Sequence, residues 1–356
     1  MSPELEAAYA EAALPFIDGA ITKEIIGLRS WRYFLEVNSA CNLKCPTCTK
    51  GNKAGYEHQT GIMEPELMGK IIDKIASENP KAIVFLYGNS EPFLHPRLPE
   101  CITAVKARGL RCELSTNLNY VQRLDETLAA KPDFMIVSLS GFTQEVYEKG
   151  HAGGDIEKVK ANMILLGEAN ARAAQRVQIS VNYHIYKDNV AEIELMKAFA
   201  AQCGIELFTS TARAISMENA IQYCREKDPA ATPFAIEQGE NWQRNWNDLL
   251  PPVSAQWRDT MDRLRIPPTQ ARDMYAQIPL RSACPVGAGG MFTFIRHDGK
   301  TSLCACVADR RISLTDYLET TPDQMIEQRT GHAICQQCTK YRLNLYFHIV
   351  DRQKWE

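Results

Sequence analysis

Apolar and polar positions along the first two thirds of the chain switch repeatedly between two periods. Short runs rich in β-branched and aromatic residues, at 33–38 (YFLEVN), 82–88 (AIVFLYG), 112–117 (CELSTN), 134–141 (FMIVSLSG), 177–185 (VQISVNYHI) and 205–210 (IELFTS), predict strands. Between them, 64–79, 96–109, 121–131, 155–174 and 188–203 carry the pattern of amphipathic helices. In 155–174, Asp155 stands where an N-cap belongs, and Ile156, Val159, Met163 and Leu166 fall on one face. Six β-α units in a row predict a parallel sheet with right-handed crossovers. Periodicity alone leaves a doubly wound sheet and a partial or full barrel open.

After about 211 the alternation stops. The stretch 211–283 holds Trp242, Trp246, Trp257 and two Pro-Pro pairs, and predicts helices near 214–226 and 254–264. Its tryptophans are expected to pack between the β-α unit and the C-terminal part of the chain. Cysteines then concentrate from 284 to about 340, ahead of an apolar tail, YRLNLYFHIV. The expected organisation is a helical segment at 1–32, the β-α unit at 33–210, a connecting segment at 211–283, and a cysteine-rich module with its tail at 284–356.

Composition narrows the function classes. The 356 residues are 45% hydrophobic and 23% charged, with 40 basic against 43 acidic side chains and no long run of one sign. That balance offers no footprint for nucleic acid or for an anionic membrane. No apolar stretch approaches the roughly 18 residues that span a bilayer. The opening MSPELEAAYAEAALPF is acidic and lacks a continuous apolar core, so no secretory signal is expected and the protein reads as cytoplasmic. In a reducing compartment, twelve cysteines point to metal sites before disulfides. Cys101, Cys112, Cys203 and Cys224 are scattered and read as buried thiols.

The first cysteine constellation is Cys41, Cys45 and Cys48, spaced C-x3-C-x2-C directly after the first predicted strand. Three thiolates on one loop hold three irons of a cubane, and the missing fourth ligand leaves one iron open to a small molecule. Zinc favours four ligands, and no fourth Cys or His lies close by. Loops after the C-terminal ends of parallel strands are also where α/β folds build active sites.

This pattern resembles the radical S-adenosylmethionine (SAM) superfamily, in which the open iron binds SAM and the resulting 5′-deoxyadenosyl radical abstracts a substrate hydrogen. Other strand ends are similar to that family. Gly88-Asn89-Ser90-Glu91-Pro92 looks like its Gly-Gly-Glu-Pro motif, which engages the SAM amino group. Ser115-Thr116-Asn117 is similar to its polar SAM-contacting segment, and Ser138-Leu139-Ser140-Gly141 to its Ser-x-Asp-Gly segment. Asn89, Ser90 and Ser140 depart from the usual residues. The resemblance covers about 33–210 and implies a partial (β/α)6 TIM-like barrel. It makes Gly88, Asn89, Ser90, Glu91, Ser115, Asn117, Ser138 and Ser140 candidate SAM contacts.

The second constellation is Cys284, Cys304, Cys306, Cys335 and Cys338. FTFIRHDGKTSLCAC predicts a β-hairpin turning at Asp298-Gly299, which returns Cys304 beside the entry strand. A four-thiolate site suits zinc or an iron–sulfur cluster alike. The pattern Cys284, Gly299, Cys304, Cys335, Cys338 resembles the SPASM/twitch extensions of radical SAM enzymes. That implies an auxiliary 4Fe–4S cluster beside the SAM-binding one. Cys304 and Cys306 are expected to share one face of a strand, with Cys304 as the ligand and Cys306 as a candidate hydrogen donor to a substrate radical.

The resemblance implies an oxidoreductase or epimerase using SAM, two 4Fe–4S clusters and an external one-electron reductant of flavodoxin or ferredoxin type. Peptide-modifying members often carry a longer N-terminal recognition domain than the forty residues preceding Cys41. The expected substrate is therefore a polar small molecule of sugar or aminocyclitol type, with a ribosomally made peptide as the alternative. A non-catalytic iron–sulfur electron carrier, or a zinc scaffold, is the rival of another class. A carrier would complete its first site with four cysteines. Asn182 and His184 alternate with Val181 and Tyr183 on the fifth strand, so one pair is expected to face the interior. Arg213, Arg281 and Arg296 read as ion-pair residues that an anionic substrate would also suit.

Overall fold

A computed structural model describes residues 32–49, 51, 61–216, 220, 223–224, 226–227, 255–275, 292–307, 313–332, 335 and 344. The expectations for 1–31, Trp242, Trp246, Arg281, Cys284, Cys338 and the apolar tail apart from Asn344 lie outside the described residues.

All six predicted strands are present. β1 (Arg32–Leu35), β2 (Ile83–Phe85), β3 (Arg111–Thr116), β4 (Phe134–Leu139), β5 (Gln178–Ile185) and β6 (Glu206–Thr211) lie side by side in sequence order, every pair parallel. The connecting helices are α1 (Pro65–Glu78), α2 (Leu98–Lys106), α3 (Leu124–Ala129), α4 (Gln144–Gly150), α5 (Ile156–Arg172) and α6 (Ile193–Gln202). Among the described residues β6 ends the strand order, so the arrangement is a partial barrel and not a closed one. The sequence pattern does not predict α4. At seven residues, with only Tyr147 and Gly150 buried, it is too short to show a helical period.

The helices form for local reasons that the sequence carries. Pro65 opens α1 at a position where a missing N–H costs nothing, and Met68, Ile71, Ile72 and Ile75 bury one face. The Asp155 carboxylate accepts from the backbone of Glu157 and Lys158 and caps α5. Ile156, Val159, Met163 and Leu166 of that helix are all fully buried.

The C-terminal third holds α7 (Ala255–Arg263), α8 (Pro268–Tyr275), β7 (Phe292–Ile295), β8 (Lys300–Ser302), β9 (Ser313–Asp316) and α9 (Pro322–Gly331). The predicted hairpin is there: Gly299 takes the left-handed conformation at φ +82, and β7 runs antiparallel to β8. One pairing is not declared by the sequence pattern: β7 runs parallel to β1 and continues the main sheet. Its FTFI run suits that place, because Thr293 and Ile295 are buried while Phe294 stacks on Phe34 at 4.3 Å. One expectation needs correction, that for the returning strand of the hairpin. β8 ends at Ser302 and a turn comes next, so Cys304 and Cys306 do not share a strand face.

Side chains inside the barrel change character along the strands. Phe34 lies between Phe85 at 4.6 Å and Phe294, with Tyr87 edge-on at 5.5 Å. Such aromatic pairs add about 0.5–1.5 kcal/mol each beyond burial. Towards the C-terminal strand ends the interior becomes polar, and there the cavity opens. Outside the sheet, Tyr317 packs edge-on to Tyr33 and donates to Glu78 at 2.8 Å, tying the C-terminal segment to β1 and α1. Trp257 is buried against Tyr223, a contact within the connecting segment.

Candidate active site

The cysteine loop leaves β1 and is fastened to several other elements. The Asn38 side chain donates to the Glu91 carbonyl at 3.0 Å and accepts from Ala40 N at 2.8 Å, while Glu91 N donates back to the Ala40 carbonyl at 2.9 Å. Further along, Lys44 N donates to Ala152 O at 2.9 Å, and Ile215 N donates to Thr47 O at 2.8 Å. Cys48 N closes a turn on Cys45 O at 3.0 Å. A Cβ on Gly51 would stand 2.0 Å from Cys45 O, so only glycine allows that closure.

Cys41, Cys45 and Cys48 are half-buried thiols, none in a disulfide, lining a cavity of about 400 Å³ at the C-terminal ends of the strands. Burial pushes the Cys45 thiol well above its ordinary pKa, and the neighbouring Cys48 and Cys41 push it further. Cationic iron would offset that mutual repulsion, which is what a thiolate donor set requires. Among the described residues no three His, Cys, Asp or Glu side chains gather around a single ion position. Gly88, Asn89, Ser90, Ser115, Asn117 and Ser138 line the same cavity. Ser90 Oγ is buried there without a hydrogen-bond partner. An orphaned hydroxyl beside three thiols fits a polar ligand such as SAM held next to a cluster.

Glu91 also borders the cavity, but its carboxylate is already spent. One oxygen accepts from Phe93 N at 3.1 Å and Thr116 Oγ1 at 2.8 Å, and the other from Asn117 N at 2.8 Å. Burial pushes its pKa up to about 7, against the pull of those donors. Glu91 thus ties the ends of β2 and β3 to the cysteine loop, whereas the resemblance makes it a SAM contact. Asn117 continues the tie, donating to Asn42 Oδ1 at 2.9 Å. The Ser115 and Ser138 hydroxyls are 3.0 Å apart.

Ser140 is not among the residues that line the cavity. Its hydroxyl is buried and paired with His151 Nδ1 at 2.8 Å. The short serine side chain, where the family usually has Asp, reaches the imidazole directly. His151 does line the cavity and went unnoticed in the sequence. Its ring stacks on Tyr147 at 5.0 Å, and burial, then His184, lowers its pKa to about 3. One signal was present: Gly150 precedes it, where a Cβ would meet Ser140 Oγ at 2.3 Å. Asn182 and His184 face the cavity, while Val181 and Tyr183 are fully buried on the other side of β5. Arg213 also lines the cavity, whereas Arg296 pairs with Asp298 at 2.6 Å.

In the C-terminal segment, Cys304 and Cys306 are buried in the turn after β8, where Cys306 N donates to Cys304 Sγ at 3.5 Å. Cys335 is half-buried. Neither Cys304 nor Cys306 lines the cavity. Cys101, Cys112 and Cys224 are buried, as expected, and Cys203 is half-buried.

Residues 35–200 match the family described as the radical SAM superfamily. A Pyrococcus furiosus tungsten-containing aldehyde ferredoxin oxidoreductase cofactor-modifying protein is 27% identical over 179 residues, 49% of each chain. A probable GTP 3′,8-cyclase of Methanococcus maripaludis is 34% identical over 139 residues, 37% of this chain and 43% of that one. The chain therefore spans less than half the length of these curated relatives. Among solved structures, Streptococcus suis SuiB bound to S-adenosylmethionine superposes with a TM-score of 0.51 at 12% identity, over 87% of this chain and 68% of that one. That likeness is one of fold. The family match supports the radical SAM assignment of the β-α unit.

Proposed function

We propose that this protein is a radical SAM enzyme that oxidises carbon in a polar small molecule of sugar or aminocyclitol type. One observation carries the reading: three crowded thiols and an unpartnered buried hydroxyl, Ser90, share one cavity at the strand ends. Cys41, Cys45 and Cys48 would hold the cluster, and Ser90, Ser115, Asn117 and Ser138 would surround SAM. Bound there, cluster and SAM would supply the radical chemistry that takes hydrogen from an unactivated carbon. The protein's own residues prepare the place. Glu91 and Asn38 fix the cysteine loop against β2 and β3, Ala152 and Ile215 fix its far side, and the aromatic layer around Phe34 closes the barrel below.

Oxidation is favoured over epimerisation because Cys306, the candidate hydrogen donor, stands outside the cavity wall. Cys304, with Cys284, Cys335 and Cys338, would bind an auxiliary 4Fe–4S cluster of the SPASM/twitch kind, and the N–H···S contact from Cys306 suits a ligating thiolate. A flavodoxin- or ferredoxin-type protein would supply electrons. The test is anaerobic reconstitution with iron, sulfide, reductant and SAM. 5′-Deoxyadenosine should be released by the wild type and fall to background in Cys45→Ala. Intact SAM in the wild-type reaction would sink the proposal.

A further inference from the structure

A second wall of the cavity is built by β5 and β6, and its chemistry differs from that of the cysteine loop. Asn182, His184 and Ser210 all line it, with His184 and Ser210 directly paired across the two strands. Ser210 donates to Asn182 Oδ1 at 2.7 Å, which fixes the amide and leaves its two N–H groups for the cavity. The Ser210 hydroxyl also lies 3.4 Å from His184 Nδ1. Beside them His151, locked through Nδ1 by Ser140, has its ring 6.1 Å from that of His184.

Among the described residues this wall carries oriented donors and acceptors, and the charged side chains beside it already have partners. The carboxylate of Glu91 is taken up by Phe93, Thr116 and Asn117, and Arg213 has a partner within the protein. A cationic or anionic group placed here would lose its hydration without gaining a free counter-charge from the described residues. A hydroxyl, by contrast, accepts from an amide N–H and donates to an imidazole nitrogen with one group. Burial holds His151 neutral, in keeping with that role.

We propose that Asn182, His184, Ser210 and His151 form the recognition wall for an uncharged polyhydroxylated substrate, excluding the protonated amines of the aminocyclitol class. The inference rests on SAM occupying the wall formed by the cysteine loop and the ends of β2 and β3. It makes Ser210 a positioning residue, acting through the Asn182 amide.

The experiment uses reconstituted protein with SAM and no reductant, so that binding is read without turnover. Saturation-transfer NMR is run with myo-inositol as the uncharged probe, glucosamine as the cation and gluconate as the anion. Myo-inositol should bind at least about tenfold more tightly than either charged probe, the scale expected when a site is built around substrate hydroxyls. Ser210→Ala should weaken myo-inositol by roughly tenfold, and Ser210→Thr, which keeps the hydroxyl, should restore it. Tighter binding of glucosamine or gluconate, or myo-inositol binding unmoved in Ser210→Ala, overturns the inference. SAM binding without any myo-inositol binding also overturns it and leaves the radical SAM reading standing. Failure of SAM itself to bind overturns both.

Discussion

The two cysteine sets are held in different ways. Cys41, Cys45 and Cys48 sit on a loop whose backbone is tied to Glu91 after β2, to Ala152 after α4 and to Ile215 beyond β6. Cys304 and Cys306 sit in a short turn, where Cys306 N donates to Cys304 Sγ and Val307 N to Cys304 O. The first geometry is imposed by the sheet; bonds inside the turn contribute to the second. A site preformed by a sheet spends little of its ligand's binding energy on ordering, while a local one spends more.

The largest effect is expected from removing the first set altogether. Replacing Cys41, Cys45 and Cys48 with alanine should cut the iron of reconstituted protein from about eight to about four per chain. It should leave the circular dichroism spectrum of the barrel unchanged. Loss of all iron in the triple variant would show that the second set does not form a cluster independently.

A smaller effect is expected at the knot that ties the first set down. Glu91→Gln turns an amide N–H towards a backbone N–H or the Thr116 hydroxyl, and should cost about 1–3 kcal/mol of stability. The pH dependence has a definite sign. The folded carboxyl is raised from 4.5 to about 7, so its favourable contribution is complete below pH 4.5 and lost as pH rises through about 7. His151 works the other way, its folded value being depressed to about 3, so its contribution is present above pH 6.5 and lost as pH falls towards about 3. Between about pH 4.5 and 6.5 the two slopes oppose each other in the wild type. In Glu91→Gln, urea melts across that range should show stability rising with pH; a flat profile would mean His151 is not buried as described.

The smallest effect is expected in the second set. If Cys306 merely packs beside Cys304, Cys306→Ala should change 5′-deoxyadenosine release by no more than about twofold. Turnover in D2O should place no solvent deuterium on the product carbon, and the variant should give the same product as the wild type. Solvent deuterium that disappears in the variant would restore the hydrogen-donor role and make the enzyme an epimerase.

Much of the barrel was legible because it rests on local pattern. Ile71, Ile75, Val159 and Met163 mark helix faces by spacing alone, and on β5 alternation separates Val181 and Tyr183 from Asn182 and His184 without saying which pair turns inward. The cysteine loop was legible because its ligands are neighbours in sequence. What stayed hidden depends on residues meeting across elements. The pairing of β7 with β1 is a matter of register, which no run of four residues declares. The saturation of Glu91 depends on donors from Phe93, Thr116 and Asn117, and the selection of His151 depends on a serine eleven positions earlier on another element.

The pairing of β1 with β7 also governs how the chain comes to be folded. Arg32 lies opposite Phe292, so a strand at the heart of the sheet waits for a neighbour made some 260 residues later. Until residues 292–295 emerge, one edge of β1 is open backbone, able to pair with another nascent chain. Contacts this distant in sequence close slowly, because the loop between them must first be gathered in. Synthesis rate and chaperone supply should therefore control the soluble yield of this protein more than its final stability does.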